Sequence, residues 1–164
     1  MNTGQMFMTM GAMVLLSTIT LRVNTSNLMN ETIRDEAQYG VLATSIATSI
    51  IEEATSKSYD ESTDSTSVST LSELTLAGSL GPESGETYDL FDDFDDFNGF
   101  TKRDSTMPSA IFDISCEVMY IHKTNLKVKS NSEQWHKKIN VTVSSPFSQD
   151  TFKTSSIYSY WHFR

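Results

Sequence analysis

The segment from Gly4 to Leu21, GQMFMTMGAMVLLSTITL, carries no charged side chain over 18 residues, and Arg22 ends it. So apolar a run has to leave water, by entering lipid, by packing against other copies of the chain, or by becoming the core of a domain. A membrane-spanning helix needs about 20 apolar residues, so the length is borderline. Thr9, Ser17, Thr18 and Thr20 lower its hydrophobicity, but in a helix such hydroxyls bond the carbonyl one turn back and are tolerated. A cleaved signal peptide competes with a retained anchor. It asks for a basic start, which Met1-Asn2-Thr3-Gly4 lacks, and for a small-residue cleavage site, which Arg22-Val23-Asn24-Thr25-Ser26 does not offer. A buried helix of a soluble domain is the third alternative.

The helical pattern continues beyond Arg22. Between Thr25 and Lys57 there is no proline and one glycine, Gly40. Leu28, Ile33, Ala37, Val41, Ile46, Ile50 and Ala54 recur at spacings near one helical turn, and Ala43, Ala47 and Ile51 widen that stripe. The polar cluster Asn24 to Asn27 is a candidate break between the two halves. A continuous helix over residues 3–57 would extend roughly 80 Å at 1.5 Å per residue, more than one small domain can cover. The reading divides the chain into an apolar helix (1–24), an amphipathic helix (25–57), a polar and acidic loop region (58–109) and a sheet head (110–164).

Three strands are expected in the head. Phe112, Ile114, Cys116, Val118 and Tyr120 alternate with polar or exposed positions within residues 110–122. Ile139, Val141 and Val143 alternate within 137–145, and Pro146 ends that strand. Residues 152–161 are rich in β-formers. Residues 124–133 read as a long hairpin loop. A three-stranded meander needs a helix on its apolar face, and residues 33–57 supply one. The fold class is therefore α+β, a long N-terminal helix packed on a small antiparallel sheet.

Charge is uneven. Residues 1–100 carry a net −13 and residues 101–164 a net +4, within a total of −9. An acidic middle and a basic tail attract one another. No basic patch interleaved with aromatics supports nucleic-acid binding. Cys116 is the single cysteine, which rules out an internal disulfide, and its place in an alternating strand makes it a buried small side chain.

The acidic stretch Phe91-Asp-Asp-Phe-Asp-Asp-Phe-Asn-Gly-Phe100 places phenylalanines at a period of three, with the aspartates expected to face water. Asp92, Asp93, Asp95, Asp96 and Asn98 form a candidate calcium loop, because hard cations take clustered oxygen ligands. The EF-hand pattern fails, since counting back from Gly99 puts Phe94 where its first aspartate belongs. The competing reading is an aromatic-anchored acidic loop without metal, and no other cofactor is implied. The carboxylates are neighbours on one loop, without the opposed partner a glycosidase requires. His122, His136 and His162 lack metal-ligand spacing, and no phosphate loop or nucleophile motif is present, so no catalytic residue is assigned. Asn30-Glu-Thr32 and Asn140-Val-Thr142 match glycosylation sequons.

Three segments in order, GQMFMTMGAMVLLSTITL at 4–21, LATSIATSIIEEATSKSYDE at 42–61 and LFDDFDDFNGF at 90–100, resemble type IV pilins and pseudopilins. The pattern is most similar to minor pilin-like proteins of the mannose-sensitive-haemagglutinin and pilus-modification type. The resemblance implies a filament subunit rather than an enzyme. It implies assembly through Met6, Phe7, Met10, Gly11, Met13, Val14, Leu15, Leu16 and Ile19, with itself and related subunits as partners. It implies an inner-membrane anchor before assembly, then a cell-surface filament or a periplasmic pseudopilus. A single-span envelope protein with a ligand-binding head is the alternative. The resemblance also places a processing site at Gly4 and Gln5. Two features depart from its pattern: only Met1-Asn2-Thr3 precedes Gly4, and the fifth residue after it is Thr9 where the family carries glutamate.

Overall fold

A computed structural model describes residues 2–64, 66–107, 110–148 and 150–163, without the side chains of Met107, His162 and Phe163. One helix, α1 (Thr3–Ser56), is followed by a short α2 (Glu61–Asp64) and three single 3₁₀ turns, then by five strands. These are β1 (Thr101–Met107), β2 (Ala110–His122), β3 (Asn125–Lys129), β4 (His136–Ser144) and β5 (Thr151–Ser159). The α+β class expected from the sequence is the observed one. The chain forms two compact units, residues 1–38 and residues 39–164.

The Asn24–Asn27 cluster, a candidate break in the sequence, lies within a continuous α1. Thr25 Oγ1 donates to the Leu21 carbonyl at 2.9 Å, so its hydroxyl is satisfied inside the helix rather than competing with it. In the first unit every described side chain is exposed, the apolar ones included.

In the second unit the sheet runs β1-β2-β4-β5, all antiparallel, with β3 paired to the C-terminal end of β2. The three predicted strands correspond to β2, β4 and β5. The two missed strands were hidden for one reason. β1 (TKRDSTM) and β3 (NLKVK) are edge elements without a buried face: β1 shows no apolar alternation, and the Leu126 and Val128 that alternate in five-residue β3 are exposed. β2 has the expected inward set and also buries Met119 and Ile121 on its other side.

The helix meets this sheet through Ala43, Ala47, Ile50 and Ala54, spaced four, three and four residues apart. Three of these are alanines, and they share one core with Phe112, Ile114, Val141 and Val143. Gly40 extends the small-residue face: a Cβ there would lie 3.2 Å from the Phe152 ring. Leu28, Ile33 and Val41, predicted on the packing stripe, are exposed. Val41 lies two residues from Ala43, about 200° around the helix, and so faces away from the alanine line.

Candidate functional site

Two regions hold the residues singled out from sequence, one in each compact unit. The first is the N-terminal part of α1. Met6, Phe7, Met10, Met13, Val14, Leu15, Leu16 and Ile19 are all more than half exposed, reaching 75% at Phe7. Gly4 and Gly11 face open space, where an added Cβ would touch nothing within 4 Å, and Gln5 is exposed in the first turn. The hydroxyls of Thr9, Thr18 and Thr20 donate to the carbonyls of Met6, Leu15 and Leu16 at 2.8–2.9 Å. The result is a helix surface with no ionic group and with polar side chains turned onto their own backbone. By length and composition this helix is able to cross a membrane, and none of its most apolar 18-residue window is buried within the protein.

The second region is the acidic segment that precedes β1. Its period of three matches the three residues per turn of a 3₁₀ helix, which forms at Asp95–Phe97. Phe91, Phe94 and Phe97 are buried, with Phe91 edge-on to Phe97 at 5.3 Å and Phe94 against Tyr158 at 5.0 Å. Tyr88 stacks on Phe100 at 4.7 Å. The segment is clipped to the end of α1 by Ser58, whose amide donates to the Asp92 carbonyl and whose carbonyl accepts from the Phe94 amide.

The aspartates do not all face water, as the sequence reading expected. Asp92 is exposed, but Asp93, Asp95 and Asp96 are buried with their aromatic neighbours. The backbone turn offers them amides, and Lys137 offers a cation. Asp93 Oδ1 accepts the amides of Asp95 and Asp96 at 2.7 and 3.1 Å. Asp96 Oδ2 accepts those of Asp92 and Asp93 at 3.0 and 3.1 Å. Asp95 pairs with Lys137. Asn98 acts as a brace: its Nδ2 donates to the Leu80 carbonyl and its Oδ1 accepts the Val118 amide. Asp93, Asp95 and Asn98 are thus committed to protein partners.

Lys137 is the group that sequence reasoning missed. It sits on β4 in register with Tyr120 on β2 and Tyr158 on β5. Its ammonium is fully buried and spends its three donors on the Tyr59 carbonyl, Asp60 Oδ2 and Asp95 Oδ1. The Tyr59 and Tyr120 rings lie 4.6 and 5.3 Å away. Asp60 also takes the Thr75 and Ser62 amides and the hydroxyls of Thr75 and Tyr120. The alternation Ile139, Val141, Val143 runs back to 137, so Lys137 was legible as an inward position.

Electrostatics follow from this burial. Desolvation raises the Asp60 carboxyl, but Lys137 and the two amides outweigh it and hold the group below the usual range. Burial pushes Asp95 up to about 6, with Lys137 opposing and Asp60 and Asp96 adding. Asp93 is pushed up to about 8 by burial and by the carboxylates of Asp95 and Asp96. Burial alone pushes the Cys116 thiol up to about 12, as suits an inert core side chain.

One further acidic group forms across the turn before this segment. Glu83, Glu86 and Asp96 each bring a carboxylate oxygen within 4.8 Å of the others. Glu83 and Glu86 were not singled out from sequence, because thirteen and ten residues separate them from Asp96 and only the fold joins them. His122 and His136 hydrogen-bond Thr124 and Ser159, while the side chain of His162 lies outside the described residues. Compared with known protein families, with curated proteins and with solved structures, the chain matches none of them.

Proposed function

We propose that the chain is a structural subunit of a type IV pilus-like or pseudopilus filament, held first in a membrane and then in a filament core by the N-terminal part of α1. The observation that carries the reading is the charge-free surface from Gly4 to Leu21, which stays unburied within the chain itself. Burying one Leu- or Met-sized side chain from water is worth about 1.5–3 kcal/mol, so a handful of these contacts is enough to hold an assembly together in water. From lipid that gain shrinks, and close packing between helices has to replace it. Gly4, Gly11 and Ala12 suit such close approach. The sheet unit remains outside as the exposed head, and its part is recognition, not catalysis.

The test is direct. Full-length chain purified in detergent is dialysed to remove it, then examined by negative-stain electron microscopy and sedimentation. Fibres or large ordered assemblies are expected. Met13→Asp and Leu16→Asp each place a carboxylate in the assembly surface and should abolish both assembly and membrane association. If assembly and membrane association survive both substitutions, the reading is wrong.

A further inference from the structure

We propose that Glu83, Glu86 and Asp96 form a calcium-binding site in the head. The proposal does not depend on the filament reading. Three carboxylate oxygens within 4.8 Å of one another match the span of one calcium shell. With Ca–O distances of 2.3–2.6 Å, two ligands of the same ion lie up to about 5 Å apart, against about 4.2 Å for Mg²⁺.

The second observation is independent of the clustering. Asp96 is 1% exposed, and its Oδ1 is buried without a hydrogen-bond partner. Its Oδ2 is already occupied by the Asp92 and Asp93 amides. Those two bonds orient the carboxylate and leave Oδ1 as the oxygen whose demand is unmet. A buried carboxylate oxygen with no donor is costly, and because the Asp96 carboxylate belongs to the Glu83–Glu86 cluster, a cation held there supplies what no protein group does. Among the described residues the ion pairs join Arg103 to Asp113 and Lys137 to Asp60 and Asp95, and none reaches this cluster.

The turn that presents the glutamates is itself ordered by them. The Glu83 amide donates to Glu86 Oε2 at 3.1 Å, and the Glu86 amide donates to the Glu83 carbonyl at 3.0 Å. Gly85 adopts a φ of +94°, which bends the chain so that the two side chains converge. Glu83 is exposed and Glu86 half-buried, so an ion has an open path to the site. Hard oxygen ligands on a partly exposed turn suit Ca²⁺ better than Mg²⁺, which demands a tight octahedron and keeps its waters. Of the five calcium ligands expected from sequence, Asp96 belongs to this group, and Glu83 and Glu86 join it from another loop.

The experiment uses the full chain in detergent micelles, stripped with a chelator, and titrated with CaCl₂ or MgCl₂ by calorimetry and by thermal melting. One Ca²⁺ per chain is expected, saturating by about 1 mM, the range of weak extracellular modules, with a rise in melting temperature. Glu86→Gln should weaken Ca²⁺ binding at least tenfold while raising the melting temperature of the metal-free protein, since it removes a repelling charge. Asp96→Asn should abolish binding, and if it fails to fold, Glu86→Gln carries the test. Asp89→Asn, an exposed carboxylate outside the cluster, should leave binding unchanged. Absence of heat and of any melting shift would mean that the three carboxylates share protons instead, and would overturn the proposal. So would equal affinity for Mg²⁺, or a calcium response that survives Glu83→Gln with Glu86→Gln.

Discussion

Replacing Lys137 with methionine removes a buried cation while keeping most of the side-chain volume. Two carboxylates, Asp60 and Asp95, lose their counter-charge, and the Tyr59 carbonyl loses a donor. Removing one partner of a buried ion pair costs about 3–5 kcal/mol, because the remaining charge stays desolvated without compensation. Domains of this size are stable by about 5–15 kcal/mol, so the variant should lie near the edge of folding at neutral pH. The assay is urea unfolding of the full chain in detergent, followed by tryptophan fluorescence and circular dichroism. A loss of at least about 3 kcal/mol is expected at pH 7. At pH 5 the loss should be smaller, since carboxyls freed of Lys137 and still buried take up protons and neutralise themselves. Adding Asp95→Asn to Lys137→Met should recover part of the loss, because one orphaned charge disappears. A loss below about 1 kcal/mol, of the size seen for exposed pairs, or one independent of pH, would refute the assignment of Lys137 as the ionic centre of the head.

Two more expectations concern the same segment. Asp93 and Asp95 are raised to about 8 and about 6, so the folded head binds more protons than the unfolded chain from the ordinary carboxylate range up to those values. Their contribution is full at low pH and is lost as pH rises through about 6 and then about 8; the slope is negative, at most about 1.4 kcal/mol per pH unit for each group. Asp60, held below the usual range, titrates under that window and does not offset it; chemical denaturation of chelator-treated protein from pH 5 to 8 reads the slope. Gly99→Ala should cost about 1–2 kcal/mol in the same unfolding assay, since Gly99 has a φ of +79° with open space around it, and Gly99→Asn should cost less.

Much of the architecture was written in periodicity. The alternation of Phe112 to Tyr120 and of Ile139 to Val143 marked the two central strands, because burial of one face forces it. The phenylalanine repeat marked an aromatic-anchored turn. What escaped was mostly not marked by a buried apolar face. β1 and β3 are held by ladder hydrogen bonds rather than by a buried face. The helix packs through Ala43, Ala47, Ile50 and Ala54, all on the expected stripe, but the same spacing also enlisted Leu28, Ile33 and Val41, which are exposed. The acidic segment looked solvated because four aspartates in a row of six suggest water. The cation that draws one of them inward, Lys137, stands forty-two residues from Asp95. Local pattern is blind to that pairing, as it is to the meeting of Glu83 and Glu86 with Asp96.

The position of Lys137 in the chain has a consequence for the order of folding. Its two carboxylate partners and the Tyr59 carbonyl are synthesised 77, 42 and 78 residues before it. Until β4 is made, Asp60 and Asp95 lack the buried ammonium they share, and the first hundred residues carry a net charge of −13. The closing contacts are long-range ones, which are slow to form. The ion centre is therefore among the last parts of the head that synthesis makes possible, since its other three groups all wait for one residue of β4.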